Sequence, residues 1–116
     1  MTLEEKLGQL NSPRPKELAK DLPNQIDASR KFAEGKLITN IGPAGGFFSM
    51  DIIFMEGART QAEFINELQK IALEKTRLKI PLLFVEEGTH GLMRPGATVF
   101  PEGTYGKYSC LRGLPE

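Results

Sequence analysis

Four side chains capable of chemistry stand close together in this chain: Glu86, Glu87, His90 and Arg94. They follow directly on the apolar run Ile80-Pro81-Leu82-Leu83-Phe84-Val85 and are interleaved with Gly88, Gly91 and Gly96. Neighbours on an extended strand point to opposite faces. Alternation therefore groups Leu83, Val85 and Glu87 on one face and Leu82, Phe84 and Glu86 on the other. The two carboxylates cannot form the facing pair, roughly 5–10 Å apart, that cleaves a glycosidic bond. Only one of them can face a pocket; the other then serves as a solvated or ion-paired loop residue. His90 suits a general base or a ligand orienter, and equally a loop histidine bonded to backbone. With no second histidine and no cysteine nearby, a catalytic triad cannot be assembled from what is visible. Arg94 could hold a substrate hydroxyl or carboxylate, or pair with Glu86 or Glu87.

These residues need elements to position them. Thr2-Leu3-Glu4-Glu5 has the form of a capping box, and Leu3, Leu7 and Leu10 recur at helical spacing, which predicts a helix from Leu3 to Leu10. Asn11-Ser12-Pro13 should stop it. A second short helix is predicted over Pro15–Leu22, ending at Pro23, and a third over Asp27–Glu34 with Gly35 as its left-handed C-cap. Leu37-Ile38-Thr39-Asn40-Ile41 reads as a strand. Gly42–Gly46 follows as a loop without the G-K-[ST] ending of a phosphate loop. Phe47–Met55 is apolar and ambiguous between a strand and a buried turn. The clearest pattern is a helix from Gln61 to Thr76, with Phe64, Ile65, Leu68, Ile71 and Ala72 as one apolar stripe. Its N-terminus carries a second capping-box pattern, Thr60-Gln61-Ala62-Glu63. The run Ile80–Val85 suits a parallel strand covered on both faces. Strand, helix and strand make a βαβ unit, and such units place ligands at the carboxyl ends of their strands.

Composition narrows the possibilities. The chain has 116 residues, 40% of them hydrophobic, with 15 basic and 15 acidic side chains and a formal net charge of zero. That supports one domain with a core and lacks the basic excess of a general nucleic-acid binder. The single cysteine, Cys110, allows no internal disulfide and no C-x-x-C metal site. No metal site and no cofactor is expected. No run approaches the roughly 20 apolar residues of a membrane span. The acidic opening lacks the apolar stretch of a signal peptide, so a cytoplasmic location is expected for the chain as written. A complete (β/α)8 barrel needs roughly 250 residues, and this chain could supply less than half of one.

Read in order, several segments resemble the N-terminal domain of glycoside hydrolase family 3, the β-glucosidases and β-xylosidases. Met1–Leu10 resembles that domain's first helix, and Glu34-Gly35-Lys36-Leu37 the entry to its first barrel strand. Asn66–Gln69 through Thr76–Phe84 is similar to the following helix and second strand. His90-Gly91 followed by Gly96-Ala97-Thr98-Val99-Phe100-Pro101 is similar to the next family signature. Phe47–Ala58 looks like a subfamily variation. The resemblance spans residues 1–103; the tail, residues 104–116, diverges from it.

The resemblance implies an α/β fold, an incomplete (β/α)8 barrel made of the first two βα units with N-terminal helices. It implies a retaining mechanism in which an aspartate nucleophile and an acid/base residue act, both in regions outside this chain. No catalytic residue is therefore assigned here. The acidic residue before the His-Gly pair falls on Glu87, which the resemblance makes a ligand of the sugar hydroxyls at the cleavage site. A carboxylate accepts two charge-assisted hydrogen bonds of that kind. His90 would support the loop and Arg94 the subsite rim. The partner implied is a β-linked glycoside, with no nucleic acid, no membrane and no cofactor; full-length relatives are often periplasmic or secreted. The loss of resemblance after Gly103 predicts a truncated or frame-shifted gene product, inactive by itself. Two alternatives stand beside a glycosidase fragment. One is a non-catalytic product that binds another polypeptide to complete a split barrel. The other is a small independent α/β domain of unrelated function.

Overall fold

The computed structural model describes residues 1–49, 57–86 and 88. Three helices, α1 (Leu3–Gln9), α2 (Pro15–Leu18) and α3 (Leu22–Glu34), precede a short strand β1 (Gly46–Phe48), a long helix α4 (Ala58–Lys75) and a second strand β2 (Leu83–Val85). β1 and β2 pair in parallel, Gly46 opposite Leu83, Phe47 opposite Phe84 and Phe48 opposite Val85. The expected strand–helix–strand unit is present, and its sheet is parallel.

Its first strand is not where the β-branched residues are. Leu37–Ile41 forms turns, with Asn40 in the left-handed region at φ 65°. Ile41 N–H turns back to Ile38 O, and Gly42 N–H goes to Glu4 O at 2.8 Å. Those bonds tie the segment to α1 instead of to a strand. Pairing waits for Gly45 and Gly46, which can come closer to other backbone than a side chain would allow. A Cβ at Gly45 would run into the backbone of Gln9, and one at Gly46 into that of Leu83.

The helices also differ in detail. Pro23 does not close α2, which stops at Leu18. It opens α3 instead, in the first turn, where a missing N–H costs nothing. Gly35 caps α3 in the left-handed conformation at φ 76°, as expected. α4 starts at Ala58 behind Gly57, so Thr60 and Glu63 do not form a capping box; Arg59 Nε instead holds Glu63 at 2.9 Å, one turn on. The box at Thr2 and Glu5 does form, with Glu5 N–H on Thr2 Oγ1 at 3.2 Å and Thr2 N–H on Glu5 Oε2 at 2.7 Å.

The core lies between α3, α4 and one face of the sheet. Phe32 and Ala33, Ala44 and Phe47, Phe64, Leu68, Ile71 and Ala72, and Leu82 make one buried cluster. Phe47 is its centre, edge-on to Phe32 at 6.1 Å and stacked on Phe84 at 6.0 Å. The stripe on α4 buries Phe64, Leu68, Ile71 and Ala72 as its spacing predicts. Arg30 closes the seam between α3 and α4 with a two-pronged hold on Glu67, at 2.8 and 2.9 Å.

Two apolar surfaces stay outside. Leu82 is buried and Phe84 half-buried against the helices, but Leu83 is 66% exposed and Val85 39%. The strand expected to be covered on both faces is covered on one. α1 is mounted by its polar side: Glu5 and Gly8 are buried, while Leu3, Leu7 and Leu10 are exposed. Gly42 N–H on Glu4 O and Gly45 N–H on Gly8 O hold this side inward, and Arg77 adds to them. It reaches Glu5 with Nε at 2.9 Å and Nη2 at 2.6 Å, and so turns the carboxylate inward.

Candidate functional site

The place to look is the carboxyl end of the parallel pair. β1 ends at Phe48 and β2 at Val85, and one further rung joins them beyond the strands, Ser49 N–H to Val85 O at 2.9 Å. Ser49 is buried and has φ 49°, an uncommon conformation for a side chain other than glycine. Glu86 follows, half-buried. Glu87, His90 and Arg94 lie outside the described residues. Of the sequence-derived candidates, Glu86 is thus the one the structure places, at the mouth of the sheet beside Ser49's rung.

A residue that sequence reasoning passed over stands at the same end. The chain leaves α1 and climbs along the outer edge of β1. Gly45 N–H donates to Gly8 O at 2.9 Å, and Phe48 N–H donates to Pro13 O at 3.2 Å. This passage delivers Arg14, whose guanidinium carbon sits 4.7 Å from the centroid of the Phe48 ring. The contact is a cation–π pair. The sequence does hold a signal for it. Pro13 and Pro15 flank Arg14, and a residue before proline is held extended; Arg14 has φ −78° and ψ 139°. Pro15 is among the most deeply buried side chains, which anchors the passage. An arginine, an aromatic ring and a carboxylate therefore share the carboxyl end of the sheet.

Several charges elsewhere are paired with one another. A groove of about 490 Å³ runs between α3 and α4, lined among others by Arg30, Lys31, Glu34, Glu67, Lys70 and Lys75. Arg30 pairs with Glu67 and Lys31 with Asp27, while Glu34 takes both Lys36 and Lys75. Those two lysines hold the Glu34 carboxyl below its ordinary pKa, Lys36 first. The groove lies on the helical side of the molecule, away from the strand ends. Arg77, followed by the Thr2 backbone, lowers the Glu5 pKa in the same way. Among the described residues no cluster of three or more His, Cys, Asp or Glu could hold a metal ion. No helix among them is long and apolar enough to cross a membrane.

No model of a known protein family matches this chain, and no curated protein matches it.

Proposed function

We propose that this chain is the opening part of the barrel domain of a retaining β-glycosidase of the glycoside hydrolase family 3 type, supplying part of its sugar-binding subsite. The observation that carries the reading is the layering of the sheet. β1–α4–β2 is a parallel strand–helix–strand unit whose helices cover one face, with apolar side chains left bare on the other. A barrel strand is built on that plan, helices outside and side chains inside. Glu87, outside the described residues, is the proposed subsite carboxylate, on the resemblance and on its alternation in the sequence with Leu83 and Val85. Its proposed role is to accept hydrogen bonds from the hydroxyls of a β-glucoside or β-xyloside, with His90 steadying the loop and Arg94 at the rim. The first barrel strand in this reading is Gly46–Phe48, later than the sequence pattern suggested.

The test uses the chain alone and a hybrid. The chain alone is expected to hydrolyse neither 4-nitrophenyl β-glucoside nor 4-nitrophenyl β-xyloside. Residues 1–103 joined to the remainder of a family 3 β-glucosidase barrel should restore turnover. Glu87→Ala in the hybrid should then lower kcat/KM by about 100-fold, as for two charge-assisted hydrogen bonds of roughly 1.5 kcal/mol each. A folded hybrid whose turnover ignores Glu87→Ala would remove the subsite assignment. Turnover by the chain alone, lost in Glu87→Ala, would show that the nucleophile is not elsewhere.

A second reading is favoured by the bare Leu83 and Val85 face: a non-catalytic partner that completes a split barrel with another polypeptide. Co-purification with a larger fragment of the same family supports it, and a monomer with a cooperative melt counts against it.

A further inference from the structure

Gln69 sits half-buried on α4, beside the entrance to β2. Its side-chain amide makes two bonds to the backbone of one residue. Nε2 donates to Leu82 O at 2.8 Å, and Oε1 accepts from Leu82 N–H at 2.9 Å. A residue on a neighbouring strand exchanges bonds in the same two-point manner.

The direction of those bonds matters. Leu83 N–H goes to Gly45 O and Val85 O receives Ser49 N–H, so Leu83 and Val85 turn their backbone groups toward β1. By alternation Leu82, Phe84 and Glu86 turn theirs to the opposite edge. Gln69 therefore occupies that outer edge at Leu82, the residue just before β2. Among the described residues no neighbour takes the backbone N–H or C=O of Phe84.

Such an edge is a hazard. The run from Ile80 to Val85 is apolar and uncharged, and its bare face carries Leu83 and Val85. The formal net charge is zero, so copies of the chain do not repel one another through net charge. Open apolar edges of this kind pair with one another.

We propose that Gln69 is a side-chain surrogate for a strand, closing the outer edge of β2 at Leu82 against pairing with a second copy of this chain. With Leu82 taken, Phe84 is the residue of β2 whose backbone groups face that edge. A two-stranded pairing is marginal in water even when longer than this.

The test is amide hydrogen exchange and sedimentation of the full chain. In the unsubstituted chain the Leu82 amide should be protected and the mass that of a monomer over a range of concentration. Gln69→Ala should speed Leu82 exchange by about tenfold, the effect of losing its hydrogen bond. It should also make the weight-average mass rise with concentration. Gln69→Glu keeps the fold testable should the alanine variant not fold. The protonated acid has the shape of the amide and can donate to Leu82 O, whereas the carboxylate cannot. The carboxylate still accepts from Leu82 N–H, so in Gln69→Glu the Leu82 amide, corrected for intrinsic exchange, should stay protected. An unprotected Leu82 amide in the unsubstituted chain or in Gln69→Glu, or equal self-association with and without Gln69, would each overturn the proposal.

Discussion

Phe47 is the side chain on which the packing of this molecule turns. It is fully buried, edge-on to Phe32 and stacked on Phe84 with the ring planes 17° apart. Phe47→Ala removes an aromatic side chain from a dry cluster where α3, α4 and β2 meet. An aromatic of this size buries about 150–250 Å². At about 25 cal/mol per Å² that is roughly 4–6 kcal/mol for the whole residue, and measured truncations of buried Phe fall near 3–5 kcal/mol. A domain of this size has about 5–15 kcal/mol in total, so the variant should be close to unfolding or past it. Phe47→Leu keeps most of the volume and should cost about 1–1.5 kcal/mol. The assay is urea unfolding followed by far-ultraviolet circular dichroism, with the midpoint and the slope read separately. A cycle adding Phe84→Leu to Phe47→Leu isolates the stack, expected to couple by about 0.5–1.5 kcal/mol. If Phe47→Ala loses less than about 1 kcal/mol with an unchanged slope, β1 does not sit in the core, and the strand–helix–strand description is wrong.

Other outcomes follow from the same packing. The Glu5 pKa is lowered by Arg77, so its contribution is present above the unfolded carboxyl pKa and is lost as pH falls through the lower folded value. Glu5→Gln should therefore flatten part of the acid side of a pH–stability curve and leave its alkaline side unchanged. Arg30 and Glu67 are each more than a third exposed, so a double-mutant cycle between them should give no more than about 1 kcal/mol. Gly45→Ala should destabilise markedly, because its Cβ would meet the backbone of Gln9; a thermal melt unchanged by the substitution would contradict that approach. Leu83→Lys should leave the melting temperature within a few degrees and reduce light scattering at high concentration, since the side chain it replaces is 66% exposed.

Local pattern made parts of this fold legible. The stripe from Phe64 to Ala72 and the C-cap at Gly35 depend on residues a few positions apart, and both are present. The facing of α1 could not be read in the same way. Leu3, Leu7 and Leu10 mark a helix correctly, but distant contacts hold its other side inward: the backbone of Gly42 and Gly45, and Arg77, 72 residues beyond Glu5. The first strand was misplaced for a related reason. Leu37–Ile41 has the better strand composition, but Gly45-Gly46-Phe47 has the close approach to Leu83 and the ring that completes the core. Pro23 could end one helix or begin the next, and local sequence permits both. At the carboxyl end of the sheet, Glu86 was visible in the sequence as a polar residue after an apolar run. Arg14 was not, because what brings it there is the pairing of Pro13 with Phe48, across a loop closed by the fold. Glu87, His90 and Arg94 lie outside the described residues.

The clasp between Glu5 and Arg77 also sets an order of events during synthesis. The chain is made from its N-terminus, so α1 is available early, yet the guanidinium that clasps Glu5 is added only after all of α4. Closing a loop of that length costs entropy that is recovered only when both ends are in place. Until then α1 can already take backbone bonds from Gly42 and Gly45, while the Glu5 carboxylate lacks its guanidinium partner. The first helix to be made thus waits for its last side-chain tie, and a nascent chain halted before residue 77 would hold α1 without that clasp.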